Sequence, residues 1–530
     1  MQELPASKPQ RIVTRVFLAL YALVFSVLLF GLLKDTSVYQ LRWYALLPLL
    51  LAFLAAVYAF SYFLNGYLQK ISRIARFVSL GVCVFLFTCN VITGFSLRFE
   101  PLYDLEAIYQ GAIAWVETGS FTNAVFPSAD PNYFYMFPNN LGGLTLLAGF
   151  FKAASLFGVH DYFAVALLCN SALIALTVYV SATVARMLYG AAAELTVLLF
   201  FLLCPPFYFM GAVFYTDSLS MLFPVLAFFL YLHALRAETP ARKALFGALC
   251  GLALAIGMFI KFSVVIAGIA MVVHFLSTVN MRKWLRNILV FCCMAGVIAG
   301  CFLLRSAYFY PRHLRREKAD EIQIPYSHWV MMGLKGNGGY NPEDYEYTRS
   351  FPTLTERDAA ARSEIARRVS AYGFSGLVSH CYTKGLVVYG DATCSLSEYL
   401  DDNPVNLSAL HVFLLGDGLK HSAYRRLCTV FRLGLLLLAL IAALRALFSR
   451  NSRLCTLPHI CLFGFFLFMC LWETSGRYVI NFLPMLMLAA LPVYATPAGE
   501  GTASGREGAA SGREGTASGG EGTASGGKLS

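Results

Sequence analysis

Six ionisable residues stand where helix-length apolar runs end: Asp104, Glu106, Asp217, Lys261, Glu473 and Arg477. Asp104 and Glu106 lie in Phe-Glu-Pro-Leu-Tyr-Asp-Leu-Glu-Ala-Ile-Tyr-Gln, residues 99–110. Paired carboxylates of this kind can take a proton as a general base or hold a cation. A helix N-cap at Asp104, with the helix running on from Leu105, explains that residue without any chemistry. Asp217, in Tyr215-Thr216-Asp217-Ser218, has the same alternative at the start of its run. Lys261 interrupts the apolar stretch Ala244–Thr278, where its ammonium can hold a lipid phosphate or simply snorkel to water. Glu473, Arg477 and Tyr478 share Trp-Glu-Thr-Ser-Gly-Arg-Tyr; Arg477 can bind a phosphate, or pair with Glu473.

Two aromatic stretches add positioning candidates. Tyr133-Phe134-Tyr135-Met136-Phe137-Pro138-Asn139-Asn140 reads most simply as an interfacial aromatic belt, with Asn139 as a polar contact. His328-Trp329, followed by Gly338-Gly339-Tyr340-Asn341, can line a sugar site or form the core of a folded loop. No Cys/His cluster has zinc spacing, and neither a phosphate-binding Gly-Lys-Ser/Thr loop nor a serine nucleophile elbow is visible.

The elements that position these residues follow from composition. The 530 residues are 58% hydrophobic and 13% charged, far from the balance of a soluble chain. The net charge of +11 is spread in short clusters between apolar runs, so it reads as a topology signal and not as a nucleic-acid face. A span needs roughly 20 apolar residues. That length predicts helices over 16–33, 43–64, 77–97, 162–185, 192–211, 217–235, 244–260, 262–279, 287–307, 428–449, 456–474 and 477–496.

The apolar stretch 140–157 would invert three later clusters if it crossed: Arg236, Arg242 and Lys243, then Arg282, Lys283 and Arg286, then Arg445, Arg450 and Arg453. Basic loops stay inside, so this stretch is expected to lie at the outer interface. The fold expected is an all-α polytopic membrane protein of about 12 transmembrane helices, with both termini cytoplasmic and a small extracytoplasmic domain. Its divisions are a two-helix extension (1–76), a membrane module (77–307) with an exported loop (98–161), the exported region (308–427), a three-helix segment (428–496) and a disordered repeat tail (497–530). Cys381 and Cys394 both fall in the exported region and are candidates for a disulfide. All six ionisable residues then map to one face.

In the order and sidedness of these elements the chain resembles the GT-C superfamily of polyprenyl-phosphate-sugar-dependent glycosyltransferases, which includes protein O-mannosyltransferases and aminoarabinose transferases. The resemblance is carried by Asp104-x-Glu106, the interfacial helix after Phe137-Pro138-Asn139-Asn140, Tyr215-Thr216-Asp217, Lys261, and Glu473/Arg477-Tyr478 with Pro484, over roughly residues 80–490. The stretch His328–Asp344 is similar to uncharacterised Gram-positive members. Two spans precede the usual first helix, and Phe137-Pro138-Asn139 stands in place of a His-Pro-Pro type motif.

The resemblance implies a cell-membrane enzyme with an extracytoplasmic site. Asp104 would be the base or orient the acceptor, with Glu106 beside it. Lys261 and Arg477 would hold the donor phosphate. Asp217, Tyr215, Asn139, His328, Trp329, Glu473 and Tyr478 would position substrate. The implied partners are a polyprenyl-phosphate-linked sugar, an envelope glycan or lipid acceptor, and membrane lipids. No cofactor is required, and a divalent cation at Asp104 and Glu106 is an optional addition. The rival class is a transporter or flippase of a lipid-linked sugar, whose repeats and midplane polar groups are not evident.

Overall fold

In hydrocarbon every backbone N–H and C=O must be satisfied within the chain, which favours helices over open sheets. The computed structural model describes residues 8–34, 43–66, 68–278, 281–400, 403–448 and 454–491. Among the described residues the regular elements are all helical, with one isolated bridge between Phe99 and Pro404. Among the described residues, eight helices are long and apolar enough to cross a membrane, and shorter apolar helices occupy 191–203, 262–277, 457–471 and 476–490. These twelve fall on the twelve apolar runs of the sequence. The repeat tail lies outside the described residues.

The helices that position the site are α1 (Lys8–Lys34), α2 (Leu68–Ser96), α3 (Tyr103–Thr118), α4 (Leu141–Ser155), α5 (Tyr162–Tyr189), α6 (Pro240–Ile260), α7 (Met281–Arg312), α8 (Arg316–Ile322), α9 (Tyr326–Met332), α10 (Leu354–Gly390) and α11 (Leu457–Leu471). Their ends follow local chemistry. Asp161 caps α5 by accepting from the Ala164 N–H at 3.2 Å. Thr239 caps α6, with Pro240 in the first turn, where its missing N–H costs nothing. Lys261 is extended (φ −148°) and stops α6, after which the chain restarts as a turn at Phe262–Val264. The long apolar run is thus split at its lysine.

α4 has 15 residues, about 22 Å at 1.5 Å per residue. It packs on α3 and on the end of α6, where Gly142 leaves room only for the Phe259 carbonyl, since an added Cβ would overlap it.

The 308–427 region is folded onto the bundle. α10 begins at a capping box formed by Thr353 and Glu356 and bends at Gly373, whose φ of +58° suits glycine. Beyond the bend it is apolar: Tyr389 packs edge-on against Phe25 of α1 and Phe465 of α11, and Gly385 lies against Leu28 and Phe466. This corrects one expectation. Cys381 and Cys394 do not pair: both thiols are free, Cys381 lying against Cys470 of α11 and Cys394 buried against the Arg432 guanidinium at 3.4 Å. The apolar half of α10 draws Cys381 toward the bundle and away from Cys394.

Candidate active site

Asp104 lies in the first turn of α3 but caps nothing, because the N-cap position is Leu102 and no side chain bonds there. Its carboxylate instead receives two phenols. Tyr133 Oη donates to Oδ1 at 2.7 Å and Tyr215 Oη donates to Oδ2 at 2.9 Å. The Tyr133 oxygen in turn accepts from Asn140 Nδ2. Burial, with the Asp104 charge beside it, pushes the Tyr133 hydroxyl well above its ordinary range, so it remains a donor. Asp104 is presented by a strained residue: Tyr103 has φ +52°, a conformation costing a non-glycine residue about 1–3 kcal/mol. The Tyr103 N–H is held by Ser128 Oγ at 2.7 Å.

Glu106 is used differently. Its Oε2 accepts from the backbone N–H groups of Ser128 and Ala129 at 2.9 and 3.0 Å and from the Ser128 hydroxyl. The residue is 3% exposed. It holds the 128–129 turn that supports Tyr103. Glu106 Oε2 is thus committed to this turn, and no group of three or more His, Cys, Asp or Glu suited to a metal occurs among the described residues.

Opposite Asp104 is a buried charge cluster. Lys261 Nζ lies 2.5 Å from Asp217 Oδ1, and Arg477 Nε lies 3.6 Å from Asp217 Oδ2. Tyr478 carries the Lys261 ammonium 4.1 Å above its ring and donates through Oη to Glu473 Oε2 at 3.0 Å. The Arg477 guanidinium sits against the rings of Tyr215, Tyr399 and Tyr478 at 5.3, 5.7 and 5.4 Å. An arginine held by aromatic faces is fixed in direction while its N–H edge stays available to an anion.

Asp104 and Arg477 line one cavity of about 200 Å³, together with Phe99, Leu102, Tyr103, Tyr215, Glu398 and Tyr399. Neither Lys261 nor Asp217 is in its wall; Lys261 is linked to the wall residue Arg477 through Asp217. The Tyr399 hydroxyl is buried and has no hydrogen-bond partner among the described residues.

A Gly-rich turn braces the Glu473–Arg477 loop. Thr474 N–H donates to the Gly338 carbonyl at 2.7 Å. Lys384 of α10 is fully buried and donates to the carbonyls of Gly333, Cys470 and Trp472 at 2.8, 3.3 and 2.6 Å. Gly333 and Gly338 permit this approach: a Cβ at either would meet the Trp472 backbone or the Lys384 stem at 2.7 Å. Tyr340 lies on the same turn; burial, and then the Asp104 charge, raise its pKa.

The expected residues divide accordingly. Asp104, Tyr215, Asp217, Lys261, Glu473, Arg477 and Tyr478 come together. Asn139 reaches only Asn140, at 3.3 Å, and it is Asn140 that contacts Tyr133. His328 is fully buried in the 326–349 segment, bonded through Nδ1 to Thr348 Oγ1 at 2.7 Å, and burial lowers it to about 4. Trp329 packs on Phe137 at 6.0 Å. His328 thus belongs to the packed core of that segment, while the half-buried Trp329 leans on the ring that adjoins Tyr133. Tyr133, Asn140 and Tyr399 were not foreseen; only the polar Asn pair beside an aromatic cluster hinted at the first two.

Comparison with known proteins gives one family. No curated protein matches the chain. Solved structures that align do so weakly, two of them as follows. The crystal structure of ArnT from Cupriavidus metallidurans bound to undecaprenyl phosphate shares 13% identity over 78% of this chain and 77% of that chain, with a TM-score of 0.34. The apo ArnT structure from the same organism shares 14% identity over 78% of each chain, with a TM-score of 0.33. A family model described as conserved hypothetical integral membrane protein matches residues 9–496, so the chain is a multi-pass membrane protein belonging to that family.

Proposed function

We propose that the chain is an inverting glycosyltransferase that moves a sugar from a polyprenyl-phosphate donor to a hydroxyl of an envelope glycan or lipid. Asp104 Oδ takes the proton of the acceptor hydroxyl as its oxygen attacks the anomeric carbon. The bond from that carbon to the phosphate oxygen breaks on the opposite face, and polyprenyl phosphate leaves as an anion needing no proton. Arg477 in the cavity wall, backed by Lys261 through Asp217, stabilises the departing charge. Tyr215 and Tyr133 fix the direction of the base. The steps are written without a metal.

The observation that carries this reading is the cavity itself. A carboxylate oriented by two phenols and an aromatic-held arginine line one space of about 200 Å³. Sidedness is part of the proposal. Positively charged loops at the opposite ends of the spans put both termini in the cytosol and the cavity outside.

The test is transfer from a radiolabelled lipid-linked sugar in proteoliposomes. Asp104→Asn is expected to lose roughly 10²–10⁴-fold in transfer. Full transfer in that variant would remove Asp104 as the base, and sugar-lipid movement across the bilayer without transfer would favour the flippase class. A cysteine at position 103 should react with an impermeant maleimide only from outside the cell.

A further inference from the structure

A second charged feature lies outside the cavity. From the end of α7 into α8 the chain carries Arg305, Arg312, Arg315, Arg316 and Lys318. None of the ion pairs among the described residues includes any of them. Four are placed by aromatic rings instead: Arg305 over Phe259 at 5.3 Å, Arg312 over Tyr308 at 4.8 Å, Arg316 over Tyr310 at 5.2 Å and Lys318 over Tyr135 at 4.7 Å. Three carboxylates follow nearby, Glu317, Asp320 and Glu321, and still no pair forms. A cation stacked on a ring is ordered yet keeps its N–H donors for an anion.

Depth identifies the anion. Leu303 and Leu304 are each 71% exposed, and in a membrane protein exposed leucines on a spanning helix face lipid. Arg312 lies eight residues beyond Leu304, about 12 Å further along the helix. The strip therefore falls at headgroup level, where aromatic and basic side chains meet lipid phosphates. Arg312, Arg315 and Arg316 are exposed there.

We infer that the α7–α8 corner is a binding strip for anionic phospholipid headgroups in the leaflet on the cavity side. The strip also grips the element that carries Tyr133. Arg305 donates to the Pro138 carbonyl, the Arg315 N–H donates to Tyr135 Oη at 3.4 Å, and the Ile324 N–H donates to the Met136 carbonyl at 3.1 Å. Headgroup occupancy thus steadies the segment that orients Asp104. This inference stands on the membrane location and does not depend on the proposed reaction.

The experiment measures binding of fluorescent phosphatidylglycerol and phosphatidylcholine to the full chain in detergent. Wild type should prefer phosphatidylglycerol and melt at higher temperature with it. R312Q/R315Q/R316Q should lose that preference by tenfold or more, and each single substitution by about fivefold, which serves if the triple variant does not fold. Equal binding of the two lipids by wild type, or an unchanged preference in variants that melt as wild type does, would overturn the assignment. Displacement of the lipid by soluble polyphosphate would overturn the lipid source in favour of a phosphate polymer.

Discussion

Tyr215 and Asp104, 111 positions apart in sequence, meet at 2.9 Å as hydroxyl and carboxylate, and Tyr133 holds the other carboxylate oxygen at 2.7 Å. The carboxylate is therefore aimed by two rings from two different segments, one at the head of an apolar helix and one in the turn before α4. Hydrogen bonds to a charged group contribute about 1.5–3 kcal/mol, so Tyr215→Phe or Tyr133→Phe should lower kcat for transfer about tenfold or more. KM for the lipid donor should change little, because neither hydroxyl contacts the phosphate in the proposed arrangement. A rise in donor KM at constant kcat would show that these phenols bind substrate instead.

Asp217 is the shared counter-charge of two buried cations, 2.5 Å from Lys261 and 3.6 Å from Arg477. Asp217→Asn leaves both uncompensated, and breaking such a buried pair costs about 3–5 kcal/mol. The variant should melt well below wild type. Lys261→Met leaves Asp217 with Arg477 and should cost less stability while still weakening transfer. Combining the two should restore part of the melting temperature. A double variant less stable than Asp217→Asn alone would show that the cluster is not coupled in this way.

The apolar helices, and the gathering of Asp104, Asp217, Lys261, Glu473 and Arg477 near their ends, were readable because lipid imposes helices and drives charges toward helix ends. Lys261 marked a helix end for the same reason: an apolar run too long for one span has to break where a charge can reach water. The use of Glu106 was not readable. Its partners are backbone N–H groups of Ser128 and Ala129, and a carboxylate that holds a turn has the same sequence signature as one that does chemistry. Tyr399 gave no signal either, since nothing local distinguishes its ring from its neighbours. Cys381 misled because only the bend at Gly373 reveals that the second half of α10 leaves the polar region for the bundle.

His328 supplies a pH test of the 326–349 segment. Burial holds it neutral, lowering it from 6.5 to about 4, while in the unfolded chain it titrates near its ordinary value. Between those limits the unfolded state binds the extra proton. Stability is therefore fully present above about pH 6.5 and is lost as pH falls toward 4, by up to about 3 kcal/mol. His328→Asn should flatten that loss, seen as a smaller drop in melting temperature between pH 7 and pH 5 than wild type shows. An equal drop in both proteins would mean that His328 does not contribute to acid sensitivity.

Gly333 tests whether the segment behind His328 sets the geometry of the charge cluster. A Cβ there would stand 2.7 Å from the Trp472 carbonyl carbon and oxygen and 2.9 Å from the Glu473 nitrogen. Backbone atoms cannot rotate aside as a side-chain tip can, so the two strands of chain have to part. Parting them stretches the bonds from Lys384 to Gly333 and Trp472 and from Thr474 to Gly338, which hold the loop bearing Glu473 and Arg477. Gly333→Ala should therefore reduce transfer strongly, with a stability loss of about 1–3 kcal/mol. The loss of transfer should appear as a raised KM for the lipid donor, since Arg477 is the phosphate contact in the proposed arrangement. Unchanged donor KM in a folded Gly333→Ala protein would detach the glycine turn from the site.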